Sequence, residues 1–340
     1  MRRKIIITGT HLTPAQELIR QLREDSSTDW DIAYIGRYSP SIESRIIPEL
    51  NIKFYSITCG KFDRKFISNT IIGLPQILKG IIQANKIIKQ EKPDIIVSFG
   101  GYVSVPIIIA SRFHSIPSIT HEQTFTQSLA TKINSYFVSK VALSFPIRNI
   151  KKSIVTGNLL RRELLNNSPP VSTKPIIYVT AGNQGSVIIN SYIKKILPHL
   201  KKYYIIHQTG NIDYQKYKQF EKTYSNYKVY NYVPASEIGP ILNNAQIVIG
   251  RSGANTSQEI IALSKKSILI PLPFSQQNEQ LLNAQFVQKI LTDRTIIIPQ
   301  IELSADKLLE SIKKISLIPS KKSNNLKTNL KLLNLIHEMV

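Results

Sequence analysis

Five stretches place small or polar residues directly after an apolar run, and their residue types could bind an anion or move a proton. The richest is IVIGRSGANTSQEIIAL, residues 247–263. Gly250, Gly253 and Ala254 allow a backbone to come close to a ligand. A helix starting near Thr256 would offer unpaired amides and the positive end of its dipole to an anion. Glu259 could accept hydrogen bonds from ribose hydroxyls. Thr256-Ser257-Gln258-Glu259 is equally an S/T-x-x-E capping box, in which Glu259 would bond only the Thr256 backbone. Spacing alone leaves both roles open.

The second stretch is IIYVTAGNQGSVIINSYI, residues 176–193, where Ala181 to Ser186 join a strand to a helix. It resembles a phosphate-binding turn, without the Lys-Ser/Thr of a Walker A sequence. In IIVSFGGYVSVPIII, residues 95–109, Gly100-Gly101 precedes a helix and permits ligand approach or close packing. In SITHEQTFTQS, residues 118–128, His121, Glu122 and Gln123 directly follow a strand. The first strand ends in ITGTHLTPA, and its His11 titrates near neutrality, so it could take a proton from a hydroxyl nucleophile. A histidine at a helix start is also often a cap or a packed residue. Asp29-Trp30-Asp31 has a D-x-D form, but it precedes a strand, so it supports no metal site.

The elements that must position these residues are short β-branched runs alternating with helical patterns. Strands are expected at Lys4–Thr8, Asp31–Ile35, Lys53–Ile57, Asp94–Phe99, Pro117–Thr120 and Val138–Leu143 in the first half. The second half repeats the pattern at Pro175–Thr180, Tyr203–Gln208, Lys228–Tyr232, Gln246–Gly250, Ser267–Pro271 and Thr295–Ile298. Helices are expected at Pro14–Leu22, Phe66–Gln90 and Val103–Phe113, then from near Ser186, Asp213, Ala235, Thr256, Gln276 and Ser304. Strands without polar alternation, separated by helices, indicate parallel sheets buried on both faces. Ligands bind such sheets at the carboxyl ends of their strands.

The stretch GNLLRRELLNNSPPVSTKP, residues 157–175, reads as a loop beside a domain junction. The expected architecture is α/β, with two Rossmann-like doubly wound domains facing across a cleft. Their bounds are 1–157 and 158–321, with an amphipathic helix at about 322–340 packing back on the first.

With 340 residues, two cores are the natural expectation. The opening MRRKIIITGTHLTPA has too short an apolar run for a secretory signal, and no stretch is long and apolar enough to span a bilayer. Cys59 is the single cysteine, which rules out an internal disulfide and suits a reducing compartment. Lys and Arg number 44 against 22 Asp and Glu, a net charge of +22 that votes for an anionic partner without saying which. Nucleic acid would explain the charge but none of the glycine turns, so no nucleic-acid partner is expected.

Taken together, the motifs resemble the MurG-type transferases of peptidoglycan synthesis, a two-domain GT-B family. The resemblance runs in order through Gly100-Gly101-Tyr102-Val103-Ser104, His121-Glu122-Gln123, Gly157-Asn158 with Arg161, Gly182 to Gly185, Arg251 to Glu259, and Gln280 with Asn283-Ala284. Such an enzyme moves N-acetylglucosamine from UDP-N-acetylglucosamine to lipid I, an undecaprenyl-linked acceptor, forming lipid II with inversion, and needs no cofactor or metal. The resemblance implies His11 as the base for the acceptor C4 hydroxyl. It implies Glu259 on the ribose, the amides of Ala254, Asn255 and Thr256 on the diphosphate, and Arg161 offsetting its charge. Asn183, Gln184 and Gly185 would border the same phosphates, beside Ser252 and Gly253. Gln280 would meet the sugar hydroxyls.

Four departures stand out. The family's longer opening glycine loop, about GGTGGH, is here only Thr8-Gly9-Thr10-His11. Thr8, Thr10 and Gly101 are therefore what remains to meet the acceptor pyrophosphate. After His-Glu-Gln the family places Asn against the sugar, and here Glu122 is followed two residues on by Thr124. Asn183 replaces a serine, and Glu279 stands where His or Gln is usual. A different lipid or glycan acceptor, or a non-catalytic UDP-sugar-binding subunit, are the rival readings.

Phe66, Ile67, Ile71, Ile72, Leu74, Ile77, Leu78, Ile81 and Ile82 lie among Lys61, Arg64, Lys65, Lys79 and Lys86. Such a basic amphipathic segment can rest on an anionic membrane surface, and it can equally be a helix's core face. The expected location is peripheral, on the cytoplasmic face of the bacterial plasma membrane.

Overall fold

The computed structural model describes residues 1–60, 67–147, 149–165, 169–182, 184–320 and 329–340, with side chains for all of these except 67–73, 235 and 276. The chain forms two compact units, Met1–Arg161 with Asn329–Val340, and Arg162–Thr328.

In the first unit the elements run β1 (Arg2–Gly9), α1 (Leu12–Glu24), β2 (Asp29–Arg37), α2 (Ile42–Glu49), β3 (Lys53–Ile57), α3 (Ile67–Glu91), β4 (Ile95–Phe99), α4 (Ser104–Phe113), β5 (Ser118–Glu122), α5 (Leu129–Asn134), β6 (Lys140–Leu143) and β7 (Ser153–Val155). The strands pair in parallel in the order β3-β2-β1-β4-β5-β6-β7. Ile5, Ile6 and Ile7 of β1 are fully buried although they point to alternate faces. Ile5 and Ile7 pack with Leu18, Ile19 and Leu22 of α1, and Ile6 packs with Ala84 and Ile88 of α3 and Ile107 of α4. Each such side chain contributes roughly 2 kcal/mol of burial.

The second unit runs β8 (Ile176–Thr180), α6 (Val187–Ile196), β9 (Tyr204–Gln208), α7 (Tyr214–Lys218), β10 (Tyr227–Tyr230), α8 (Ala235–Asn244), β11 (Ala245–Gly250), α9 (Ala254–Ala262), β12 (Lys266–Leu269), α10 (Glu279–Leu291), β13 (Thr295–Ile297) and α11 (Ala305–Ser316). Its parallel order is β10-β9-β8-β11-β12-β13. The final helix, α12 (Lys331–His337), buries Leu332, Leu333, Leu335 and Ile336 in the core of the first unit. His337 Nε2 meets Asp25 Oδ2 at 2.9 Å there. Leu330, just before this helix, is 45% exposed, and residues 322–328 of the expected helix lie outside the described residues.

The two parallel doubly wound sheets are as the patterning predicts. Three short elements were not anticipated: α2, α5 and the three-residue edge strand β7. Each is too short to show a periodicity of its own.

The strand order decides where the motifs meet. In each sheet the direction of winding reverses once, between β1 and β4 and between β8 and β11, and a crevice opens at such a point outside the strand ends. Thr8 pairs with Ser98 and Gly9 with Phe99, so the turns after β1 and β4 are neighbours. Thr180 pairs with Gly250, which makes neighbours of the turns after β8 and β11.

Candidate functional site

In the first unit, the turn after β1 lies against the glycine pair after β4. The Thr10 amide donates to the Gly100 carbonyl at 3.2 Å, and the His11 ring lies over Gly100. Gly101 has φ +78°, and a Cβ there would strike the Thr10 hydroxyl, so only glycine fits. His11 occupies the N-cap position of α1 but makes no side-chain cap bond, and it is exposed. Its imidazole therefore makes no cap and stays accessible beside Gly100. Surrounding protein holds its pKa below the ordinary imidazole value, and the Glu122 carboxylate acts in the opposite direction. A neutral imidazole with an open face can accept a proton. Thr8, by contrast, is fully buried, and its hydroxyl has no hydrogen-bond partner among the described residues. Thr8 therefore presents no side-chain surface to a substrate.

His121 and Glu122 are buried and already engaged. His121 Nε2 donates to the Gly157 carbonyl at 3.0 Å, and Nδ1 accepts from Gln123 at 3.2 Å. Burial pushes its pKa down to about 4. It ties the end of β5 to the segment leaving the unit. Glu122 accepts from the Thr124 amide and hydroxyl at 3.2 and 2.8 Å and from the Ser128 amide at 2.8 Å. It thus shapes the loop that carries Thr124, which is half-buried. Arg161 closes the first segment of this unit and is half-buried.

In the second unit, α9 begins at Ala254 with Gly253 as its N-cap, two residues earlier than expected. Thr256 therefore lies inside the first turn, and the Thr256–Glu259 capping box does not form. The first intrahelical bond is Ser257 N to Gly253 O, so the amides of Ala254, Asn255 and Thr256 precede it. Glu259 is buried on the second turn. A Cβ on Gly250 would collide with the Thr180 carbonyl oxygen, so this strand end also demands glycine. The neighbouring turn after β8 is braced by the Gln208 amide, which donates to Gly182 O at 2.8 Å. Ser186 then caps α6 through its hydroxyl. Gln184 is exposed and Gly185 is half-buried, and Asn183 lies outside the described residues. Two helix N-termini thus stand side by side at the reversal of the sheet.

Arg251, between the two turns, was expected only as part of a motif. It is 8% exposed and bonds only neutral oxygens. Nη1 donates to the carbonyls of Ile270 and Pro271, and Nη2 to Ser186 Oγ at 3.0 Å and Gln300 Oε1 at 2.6 Å. Burial lowers its pKa, yet a guanidinium stays charged at neutrality. A cation with neutral partners adds to the positive field of the two helix ends.

Ser252 is fully buried and bridges inward: its hydroxyl donates to the Gln280 carbonyl at 2.6 Å, and Asn283 Nδ2 donates to its carbonyl at 3.0 Å. It couples the β11 turn to α10 instead of opening to a ligand. Gln280 Oε1 accepts from the Leu272 amide at 3.0 Å, and the residue is half-buried. Asn278 and Gln277, just before α10, both hold left-handed conformations.

A buried network that the sequence did not reveal supports the β8 turn from behind. Asn190 Nδ2 donates to Thr209 O at 3.0 Å and to Asp213 Oδ2 at 2.8 Å, which fixes the amide's orientation. Its Oδ1 then accepts from His207 Nε2 at 3.0 Å, and His207 Nδ1 accepts from the Tyr227 hydroxyl at 2.7 Å. Burial holds the His207 pKa down at about 3. Gly185 packs against the Thr209 carbonyl. The only local hint was polar His207-Gln208 closing an apolar run.

Among the described residues no group of three or more His, Cys, Asp or Glu could hold a metal ion. The site's positive charge comes from helix ends and arginine.

The chain matches the glycosyltransferase family 28 N-terminal domain over residues 5–143 and the family's C-terminal domain over residues 176–339. A relative from Clostridium perfringens, a UDP-N-acetylglucosamine–N-acetylmuramyl-(pentapeptide) pyrophosphoryl-undecaprenol N-acetylglucosamine transferase, is 36% identical over 95% of this chain and 93% of its own length. One of the same description from Clostridium botulinum is 34% identical over 91% of this chain and 90% of its own. Among solved structures, Acinetobacter baumannii MurG superposes with a TM-score of 0.74 at 21% identity, covering 99% of both chains. The UDP-GlcNAc 2-epimerase of Methanocaldococcus jannaschii superposes at 0.65 with 16% identity, covering 99% of this chain and all of its own. These structures share the fold, two Rossmann-like domains of the GT-B kind. With both family domains present in order and relatives matching nearly end to end, the chain belongs to glycosyltransferase family 28, as a transferase of MurG type.

Proposed function

We infer that this protein transfers N-acetylglucosamine from UDP-N-acetylglucosamine to the muramoyl sugar of a pyrophosphoryl-undecaprenol acceptor, completing the disaccharide of lipid II. What carries this reading is the agreement with relatives of that description over 95% of the chain. The second unit holds the donor in this reading. The amides of Ala254, Asn255 and Thr256 and the turn Asn183 to Gly185 take the diphosphate, Glu259 the ribose, and Gln280 the sugar. Arg251 supplies charge from beneath. Arg161 is assigned to the diphosphate charge on resemblance alone.

The first unit holds the acceptor. His11 takes the proton of the C4 hydroxyl as its oxygen forms a bond to the donor's anomeric carbon. The bond from that carbon to the diphosphate breaks, and UDP departs with the electron pair. Helix N-termini and arginine stabilise the charge that develops on it.

The same reading places the protein on the cytoplasmic face of the membrane, where a nucleotide sugar and a lipid-linked acceptor can meet. Leu74, Leu78 and Ile82 recur at helical spacing along α3 and are 52, 55 and 70% exposed, with Lys79 and Lys86 beside them. These suit an anionic lipid surface. Ile77, in contrast, is core. Lys61, Arg64, Lys65 and Phe66 and the side chains of Ile67, Ile71 and Ile72 lie outside the described residues. No helix among the described residues is long and apolar enough to cross a membrane.

The test is to incubate the protein with UDP-N-acetylglucosamine and a lipid I analogue in detergent, and to measure UDP release and disaccharide. Product that disappears in His11→Ala supports the reading. Saturable donor binding without product would sink the acceptor assignment.

A further inference from the structure

Arg37 ends β2, at the same carboxyl end of the first sheet as the turn carrying His11, and its guanidinium is only partly used. Of its five N–H groups, Nε donates to Glu43 Oε1 at 2.5 Å, Nη2 to Glu43 Oε2 at 2.8 Å, and Nη1 to the Tyr102 hydroxyl at 3.1 Å. Two N–H groups, one on each terminal nitrogen, have no partner among the described residues. The Glu43 side chain is 1% exposed and that of Arg37 is 30% exposed. The carboxylate therefore grips the Nε/Nη2 edge of the guanidinium from inside and fixes its plane, while one N–H on each of Nη1 and Nη2 is left over in a side chain that is still partly exposed. A guanidinium held in a fixed plane with N–H groups to spare suits the recognition of a phosphate oxygen.

A second donor lies beside it. The Tyr102 hydroxyl accepts from Arg37, and its own proton has no acceptor among the described residues. The guanidinium carbon stands 5.8 Å from the Tyr102 ring centroid. Tyr102 follows Gly100-Gly101, and those glycines lie against His11 and Thr10. Two N–H groups and one O–H thus belong to the loop cluster that carries the proposed base. The turn after β1 competes poorly for an anion, because it has one glycine and its Thr8 is buried.

We propose that Arg37, with Tyr102, binds a phosphate oxygen of the acceptor's pyrophosphoryl group. This rests on the acceptor inferred above, whose pyrophosphate is attached to the same sugar that presents its hydroxyl to His11. Peptide carboxylates hang on a longer, flexible arm.

The test compares wild type with Arg37→Lys, which keeps a cation against buried Glu43 but loses the spare guanidinium N–H groups, and with Tyr102→Phe, which leaves the Arg37–Glu43 pair intact. Both kinetics and direct binding of inorganic pyrophosphate by calorimetry are measured, the latter with saturating UDP to occupy the donor site. The expected result for Arg37→Lys is a rise of about tenfold or more in acceptor KM, with donor KM changed less than about twofold. Pyrophosphate binding should weaken by a similar factor, and Tyr102→Phe should show a smaller loss of the same kind. Unchanged acceptor KM in both variants, or a rise confined to donor KM, would overturn the assignment. Should wild type form no product, the acceptor reading falls, but pyrophosphate binding lost in Arg37→Lys would still support the anion site. Wild type that binds no pyrophosphate would refute the site itself.

Discussion

Arg251 Nη2 lies 3.0 Å from Ser186 Oγ, so the cation that follows β11 touches the residue that caps α6. One contact across 65 positions of sequence locks together the two turns assigned to the diphosphate. Arg251→Met should leave the Ile270 and Pro271 carbonyls and the Gln300 amide without their donor, at about 1–3 kcal/mol for each buried group left unpaired. UDP binding should weaken at least roughly tenfold. Titration calorimetry with UDP and a denaturant melt read the two effects separately. A variant that binds UDP like wild type would show that the charge plays no part.

His11 should set the acid limb of the pH profile. Its folded pKa lies below the ordinary 6.5, so kcat/KM should fall only when pH drops beneath that value. Glu122 raises that pKa, so Glu122→Gln should move the limb to still lower pH. His11→Ala should cost roughly 10²–10⁴ in kcat and erase the limb. A limb that persists in His11→Ala belongs to another group.

Two buried histidines make stability depend on pH. His121 and His207 are held near pKa 4 and 3 in the fold, against 6.5 in the unfolded chain. Below pH 6.5 the unfolded chain binds protons that the fold refuses. Stability is therefore fully present above 6.5 and is lost as pH falls towards 4, with a slope of order 1 kcal/mol per pH unit for each histidine. Urea midpoints between pH 7.5 and 5 measure this slope. Substituting His207 by Gln should lower stability at neutral pH and flatten the slope.

Gly250→Ala drives a methyl group into the Thr180 carbonyl, a backbone atom that cannot rotate away. The strand pair β8–β11 must separate, so a loss of about 2 kcal/mol or more is expected. UDP affinity should fall with it, because both glycine turns hang on that pair. A Gly250→Ala protein with unchanged melting temperature would contradict the close approach.

The α/β alternation, the two sheets and the glycine turns after the strands were legible because each is written locally. Ile5-Ile6-Ile7 buries on both faces whatever its neighbours, and Gly100-Gly101 marks a turn before any partner is known. Helix starts were less legible: Thr256 looks like a cap in isolation, yet the bend at Gly253 starts α9 earlier. Side-chain partnerships were not legible at all. Whether Ser252 meets a ligand or the Gln280 carbonyl, whether Glu122 faces substrate or Ser128, and whether His207 is idle or braced by Asn190 all depend on which strand lies beside which. Arg37 and Glu43 stand six residues apart, but Tyr102 joins them only because β1 lies between β2 and β4. By itself the sequence determined which segments become strands, helices and glycine turns, since hydrophobic period and glycine act within a few residues. Only the tertiary structure decided which polar groups are spent on one another and which remain for a substrate, since that choice is made by contacts between residues tens of positions apart.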